Sequence, residues 1–96
     1  MRVQFVHRGS GPERLVCDAE VMFDDDGPLD GMKLVGFSLW RGPDGDTFVT
    51  FPARAFGVGT DRRFLDLLRP VEGPSPEQVK RVKGWILDQY RAQPAS

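Results

Sequence analysis

Apolar and polar residues alternate in short segments along the first half of the chain, and a period of two is typical of half-buried β-strands. Val3, Phe5 and His7 alternate with polar neighbours and predict a first strand over residues 2–7. A second strand is predicted over residues 14–23. Its two sides are Leu15, Cys17, Ala19, Val21 and Phe23, which are mostly apolar, and Arg14, Asp18 and Glu20, which are charged. One packed face and one hydrated face indicate an antiparallel sheet.

The clearest turn signal is Pro43-Asp44-Gly45, which lies between two runs rich in β-branched and aromatic residues. Such a pattern predicts a β-hairpin, because proline fixes φ and glycine tolerates positive φ. Pro52 cannot donate to a sheet ladder, so the second strand of the hairpin is expected to end there. A flexible link is predicted over residues 55–61 and a short strand over residues 64–68.

The spacing of apolar residues changes to a helical period near the end of the chain. Ser75 is predicted as the N-cap, with Pro76 in the first turn and Gln78 in the capping-box position. The helix is expected to extend to about Ala92, before Pro94. One stripe of it contains Val79, Val82, Ile86 and Tyr90, with Leu87 at its edge. The predicted fold class is therefore α+β: an antiparallel sheet of four to five strands with one C-terminal helix packed on it.

Length and composition limit the class of protein. The 96 residues predict a single domain with a disordered tail from about residue 93. No apolar run approaches the roughly 18 residues that a membrane helix needs, and no secretory signal is visible. A single cysteine fits a reducing compartment, so the chain is expected to be cytoplasmic.

Charge is distributed unevenly. The net charge is −1, but residues 1–51 hold five Lys/Arg and nine Asp/Glu, whereas residues 52–96 hold eight and five. The two parts therefore carry −4 and +3. A basic half can bind a polyanion, although such asymmetry also arises by chance in a small chain.

Residues suited to catalysis are few. A nucleophile with a base, paired carboxylates or a metal set would be needed, and the chain has one His and one Cys, far apart in sequence. Cys17 is expected in the core, where a free Cys acts as a small hydrophobe. The three aspartates from Asp24 onward do not fit an EF-hand, because its sixth position would be Leu29 and its twelfth Val35. We predict no enzyme activity, no metal and no cofactor.

The basic residues after the hairpin are the better candidates for a site. They are Arg54, Arg62, Arg63, Lys80, Arg81, Lys83 and Arg91. If the helix and the preceding loop lie close together, these cations form a track for phosphate groups; an ordinary charged surface is the alternative. Trp40 and Trp85 could each be a platform for base stacking, a subunit contact or part of the peripheral core packing, and a subunit contact or core packing is favoured over base stacking.

Several of these stretches, in their order and spacing, resemble the stage V sporulation protein G (SpoVG) family over about residues 15–91. They are Ala19–Asp25, Asp44-Gly45, Phe48-Val49, Pro52-Ala53-Arg54, Phe64 with Asp66, Arg69-Pro70-Val71, and Ile86-Leu87 with Tyr90. The acidic loop after Phe23 is longer than the family usually has, and this chain is mildly acidic.

The resemblance implies a small bacterial regulator that binds DNA or RNA. It also implies a homodimer whose sheets join at an edge, and nucleic-acid contacts from basic residues in and near the C-terminal helix. The matching positions here are Lys80, Arg81, Lys83 and Arg91, with Arg54 in the Pro-Ala-Arg motif. The alternative is a dimeric module on the same fold that binds a protein partner and no nucleic acid.

Overall fold

The structure, a computed structural model, describes residues 1–93. The tail predicted from about residue 93 falls mainly on residues 94–96, outside the described part. The elements are β1 (Arg2–Val6), β2 (Leu15–Met22), β3 (Lys33–Arg41), β4 (Thr47–Thr50), β5 (Ala53–Phe56), β6 (Arg63–Asp66) and α1 (Pro76–Arg91). A short 3-10 turn, Gly59–Asp61, lies between β5 and β6.

The main sheet has the order β1-β2-β3-β4 and is antiparallel throughout. Its inner face supplies most of the core. The buried residues are Cys17, Ala19, Val21, Phe37, Leu39, Val49, Phe51 and Ile86. The alternation predicted for β2 and β3 is confirmed, because Asp18, Glu20 and Ser38 lie on the opposite, partly exposed face.

Helix α1 lies on the inner face of the main sheet, as predicted, and contacts β1 and β4. The Ser75 side chain accepts a hydrogen bond from the backbone N–H of Gln78, which caps the helix. Ile86 is completely buried. Near the end of the helix, the Tyr90 ring meets Phe5 of β1 edge to face at 5.3 Å.

A second sheet of two strands, β5 and β6, follows the main sheet. We call residues 53–66 the arm. The link predicted over residues 55–61 is wrong in its first part, since Ala55 and Phe56 belong to β5. The strand predicted over residues 64–68 is present as β6, but it begins at Arg63 and ends at Asp66, so residues 67–68 lie outside it. It pairs with β5 and not with the main sheet. The sequence of β5 does not alternate between apolar and polar residues, because both faces of this strand are largely open to water. The strand was therefore not predicted.

Two glycines allow close approach of the backbone at the two ends of the arm. Gly36 has φ of +110°, and a Cβ there would lie 2.7 Å from the Cβ of Pro52, at the base of the arm. Gly57 has φ of +86° at the tip of the arm, and a Cβ there would lie 2.5 Å from the carbonyl oxygen of Asp61. Both positions therefore require glycine.

His7 lies outside β1 and is exposed, so the first strand is shorter than predicted. Trp85 is partly buried and packs against the core, which agrees with peripheral core packing. Trp40 lies on the outer face of β3, where its indole N–H donates to the Thr50 hydroxyl at 2.9 Å.

Candidate nucleic-acid interface

The outward face of α1 carries three of the predicted cations. Lys80, Arg81 and Arg91 are exposed, and their spacing puts them on the side opposite the buried Ile86. Glu77 and Asp88 lie on the same exposed side. This face therefore has one more positive than negative charge from these residues, before the contribution of Lys83.

Lys83 lies at the packed edge of the helix, and its Nζ is 5.5 Å from the centre of the Phe51 ring. A cation over an aromatic face is attracted by the electrons of the ring. Because Phe51 immediately precedes Pro52 and the arm, this contact fixes the helix beside the base of the arm. Lys83 is thus a predicted cation that contacts the segment leading into the arm.

The arm carries the other three cations, all exposed. The Arg54 guanidinium lies 5.5 Å from the Phe56 ring centre, and the Arg62 guanidinium lies 5.8 Å from the Phe64 ring centre. Arg63 begins β6 and is paired in register with Phe56. An arginine stacked on an aromatic ring keeps N–H groups at its edge that can donate to a phosphate.

Ion pairing separates the two halves of the chain. In the described residues, the Met1 ammonium pairs with Asp24 and Asp25, and Arg2 pairs with Asp24. Arg8 pairs with Asp18, and Lys33 pairs with Glu20. Within residues 1–93, none of the cations after Arg41 has a carboxylate within 4.0 Å. All cations of the positive half are therefore available to an external anion. In the acidic half, Arg2, Arg8 and Lys33 are paired, and Arg14 and Arg41 are not paired with any described residue.

The acidic loop after β2 is partly neutralised as well. The Met1 ammonium lies 2.8 Å from Asp24, and Arg2 lies 3.2 Å from the same carboxylate. The hydrogen bond from the Met1 ammonium lowers the pKa of Asp24. The loop thus presents less free negative charge than its sequence suggests.

The predicted cations do not all lie together. Tyr90 contacts Phe5 of β1, whereas Val79 and Val82 line a groove with Phe51, so the helix passes from the β4 side of the sheet to the β1 side. Arg91 is about 12 Å along the helix axis from Lys83, from the rise of about 1.5 Å per residue. The first half of α1 therefore lies beside Phe51, on the side of the sheet from which the arm leaves, and Arg91 lies toward the other side.

Sequence reasoning missed Arg69. This residue lines a small groove of about 80 Å³ together with Leu68, Pro70, Gln78 and other residues of α1 and the arm base. It has no ion pair within residues 1–93 and lies beside Phe51 and the first half of α1, so it adds a further cation at that end of the helix. The sequence feature that could have identified Arg69 is the Arg69-Pro70 pair directly after a predicted strand.

Other kinds of site have little support in the described residues. The register of β1 and β2 would place His7 opposite Cys17, but His7 is exposed while Cys17 is 1% exposed. Burial raises the pKa of the Cys17 thiol to about 11, which disfavours the reactive thiolate. No group of three or more metal-ligating side chains occurs within residues 1–93. No helix in that range is long and apolar enough to cross a membrane.

Comparisons of this chain with protein-family models, with curated proteins and with solved structures found no match.

Proposed function

We propose that this chain is a small, homodimeric, cytoplasmic regulatory protein that binds DNA or RNA and resembles the SpoVG family. The observation that carries the proposal is that the cations after Arg41, on the arm, at Arg69 and on α1, have no carboxylate partner within residues 1–93. Nucleic-acid contacts would be made mainly to phosphates by Arg54, Arg62, Arg63, Lys80, Arg81 and Lys83. Arg91 contributes from the far end of the helix.

Phosphate contacts of this kind have a clear thermodynamic signature. Each neutralised phosphate releases condensed counterions, so the binding constant falls steeply as salt rises. A site of about six phosphate contacts loses roughly a thousandfold in affinity between 50 and 200 mM salt. Arginine and lysine without protein carboxylate partners are suited to this binding, because no internal ion pair has to be broken first.

The first prediction concerns nucleic-acid binding itself. Fluorescence anisotropy with single- and double-stranded DNA and RNA oligonucleotides should show binding at 50 mM salt that weakens strongly at 200 mM, about the range expected for phosphate contacts. The double variant Lys80→Glu/Arg81→Glu should abolish this binding, because it reverses two exposed charges of the track.

A matched control is available at the end of the main sheet. Arg14, directly before β2, and Arg41, at the end of β3, are exposed neighbours, since the Arg41 N–H donates to the Arg14 carbonyl at 2.8 Å. Arg14→Glu/Arg41→Glu changes the net charge by the same amount outside the track and should weaken binding far less. Equal losses of affinity in both variants would show that net charge alone, and not the position of the cations, determines binding. No binding to any oligonucleotide at 50 mM salt would refute the proposal.

The second candidate function is protein binding on the same dimer. The outer face of the main sheet favours it, because Phe48 is 48% exposed next to Trp40, with which it is paired in register. An exposed apolar patch on a sheet can bind a partner protein. Binding to such a partner would survive Lys80→Glu/Arg81→Glu and change little with salt, so the same variants distinguish the two functions.

A further inference from the structure

Strand β6 is the most open strand of the described chain, with all four of its residues exposed. Phe64 is 71% exposed, more than any other aromatic residue within residues 1–93. Strands β5 and β6 pack mainly against each other, and an isolated pair of strands is at best marginally stable in water. The arm therefore needs a further contact, and β6 has a free edge on the side away from β5.

The hydrogen bonds of the arm show which groups face this free edge. The Leu67 N–H donates to the Pro52 carbonyl at 2.8 Å, so these two residues form a hydrogen-bonded pair. Such pairs alternate along an antiparallel ladder. Arg63 and Leu65 therefore direct their N–H and C=O groups toward β5. The corresponding groups of Phe64 and Asp66 point toward the free edge.

Symmetry restricts how two copies of β6 can pair. Antiparallel strands of identical chains are related by a twofold axis perpendicular to the sheet, so each residue pairs with one on the same face of the strand. An axis at Phe64 pairs the two Phe64 residues and sets Arg62 opposite Asp66 of the second copy. An axis at Leu65 would set Phe64 opposite that carboxylate, which is less favourable.

We propose that two copies of this chain join along β6, centred on Phe64, into one antiparallel sheet of the order β5-β6-β6-β5. This inference rests on the homodimer of the proposed function and identifies the surface that forms it. The Phe64 pair supplies apolar contact, and the two Arg62–Asp66 pairs supply charge complementarity in both directions. The other free edges lack this self-complementarity, because β4 has no charged residue, β1 has only Arg2 and β5 has only Arg54.

The joined sheet explains why the arm is rich in arginine. In the register of the arm, Arg54 pairs with Leu65 and Phe56 with Arg63, so these residues share one face. The twofold axis keeps that face on the same side in both copies. Arg54 and Arg63 of both chains therefore lie on one continuous surface that carries no carboxylate from β5 or β6. Arg62 lies on the opposite face, so its pairing with Asp66 removes it from the phosphate contacts of the proposed function. A polyanion would contact a surface that neither copy presents alone.

Disulfide trapping tests the axis directly. Opposite residues of a hydrogen-bonded antiparallel pair have Cα atoms about 5.5 Å apart, within the range of a disulfide. In a Cys17→Ala background, Phe64→Cys should give a covalent dimer on mild oxidation. The control is Val58→Cys in the same background, at the exposed arm tip, which should remain mostly monomeric on a non-reducing gel.

Charge exchange tests the register independently of oxidation. Arg62→Asp and Asp66→Arg should each weaken dimerisation by about tenfold in sedimentation equilibrium, because each places like charges opposite each other at two symmetric positions. The double variant Arg62→Asp/Asp66→Arg should restore the dimer. Failure of the double variant to recover, or equal cross-linking of Phe64→Cys and Val58→Cys, overturns the β6 interface.

These results separate the interface from nucleic-acid binding. A wild-type dimer that forms without β6, or a monomer that still binds oligonucleotides in a salt-dependent way, would overturn this inference alone. A β6 dimer that binds no oligonucleotide would support the interface and refute the proposed function.

Discussion

Cys17 is a single residue whose chemistry is set by its position on β2. Its side chain is in the core, and burial raises the pKa of the thiol from an ordinary value of 9.0 to about 11. The charged thiolate is disfavoured because it would lose its hydration. The same thiol in the unfolded chain is solvated and loses its proton at lower pH.

This difference predicts a loss of stability in alkali. Between about pH 9 and 11 the unfolded chain releases the thiol proton while the folded chain keeps it, so the free energy of unfolding falls as pH rises. Ionisation of the thiol in the unfolded chain lowers the free energy of unfolding by about 2 kcal/mol across this window and has no effect on it below the window. Urea unfolding of the wild type and of Cys17→Ala, followed across this pH range, measures it.

The Cys17→Ala variant is the control for all other groups that titrate in alkali. Its stability should be offset from that of the wild type by a constant amount at neutral pH, and the offset should shrink or reverse above pH 9. Parallel curves for the two proteins up to pH 11 would contradict the assignment of the alkaline loss to Cys17.

At the scale of elements, α1 contains a glycine without a structural reason. Gly84 lies in the middle of the helix, and a Cβ at this position would meet no atom within 4 Å. Close approach within the described chain therefore does not explain it. Glycine in a helix interior is less favourable than alanine by up to about 1 kcal/mol.

We accordingly expect Gly84→Ala to raise the free energy of unfolding by about 0.5–1 kcal/mol in chemical denaturation. The matched control is Gly36→Ala, the same substitution at a position with φ of +110° and a Cβ contact of 2.7 Å to Pro52. That variant should be destabilised. A destabilised Gly84→Ala would indicate that this part of the helix faces a close partner in the assembled protein.

Elements with strong local signals were predictable from sequence. Ser75 caps α1 as expected, and the alternation around Cys17 and Leu39 identified the inner face of the main sheet. Strand β5 was missed because Ala53–Phe56 has no buried face to impose alternation and follows a proline that ends β4. The pairing of β6 with β5 depends on the path of the chain, which local patterns do not encode.

The candidate site was predictable in part for the same reason. Charge counts indicated a basic half, and the exposure of Lys80 and Arg81 follows from helical periodicity. The contact of Lys83 with Phe51 and the position of Arg69 in the groove beside α1 depend on tertiary packing. Neither can be read from spacing along the chain.

At the scale of the whole molecule, dimerisation should couple to stability. If the native protein is a dimer and the unfolded chain is a monomer, mass action raises the melting temperature with protein concentration. We expect calorimetry over a hundredfold range of concentration to show this rise for the wild type. In Phe64→Asp the dependence should be much weaker, because two carboxylates would face each other across the proposed axis.

Val58→Asp is the control for this measurement, because it adds the same charge at the arm tip and should keep the concentration dependence. A melting temperature independent of concentration for the wild type would contradict a dimer that is linked to folding.

The position of α1 on the first and last strands of the main sheet has a consequence during protein synthesis. Leu39 and the other inner-face residues emerge from the ribosome well before Ile86, which covers them. At about 5–20 residues per second, this gap corresponds to roughly 2–10 s. During that interval the nascent sheet presents its apolar side without a cover, which is a window for capture by a chaperone or for misassembly between neighbouring chains on one messenger RNA.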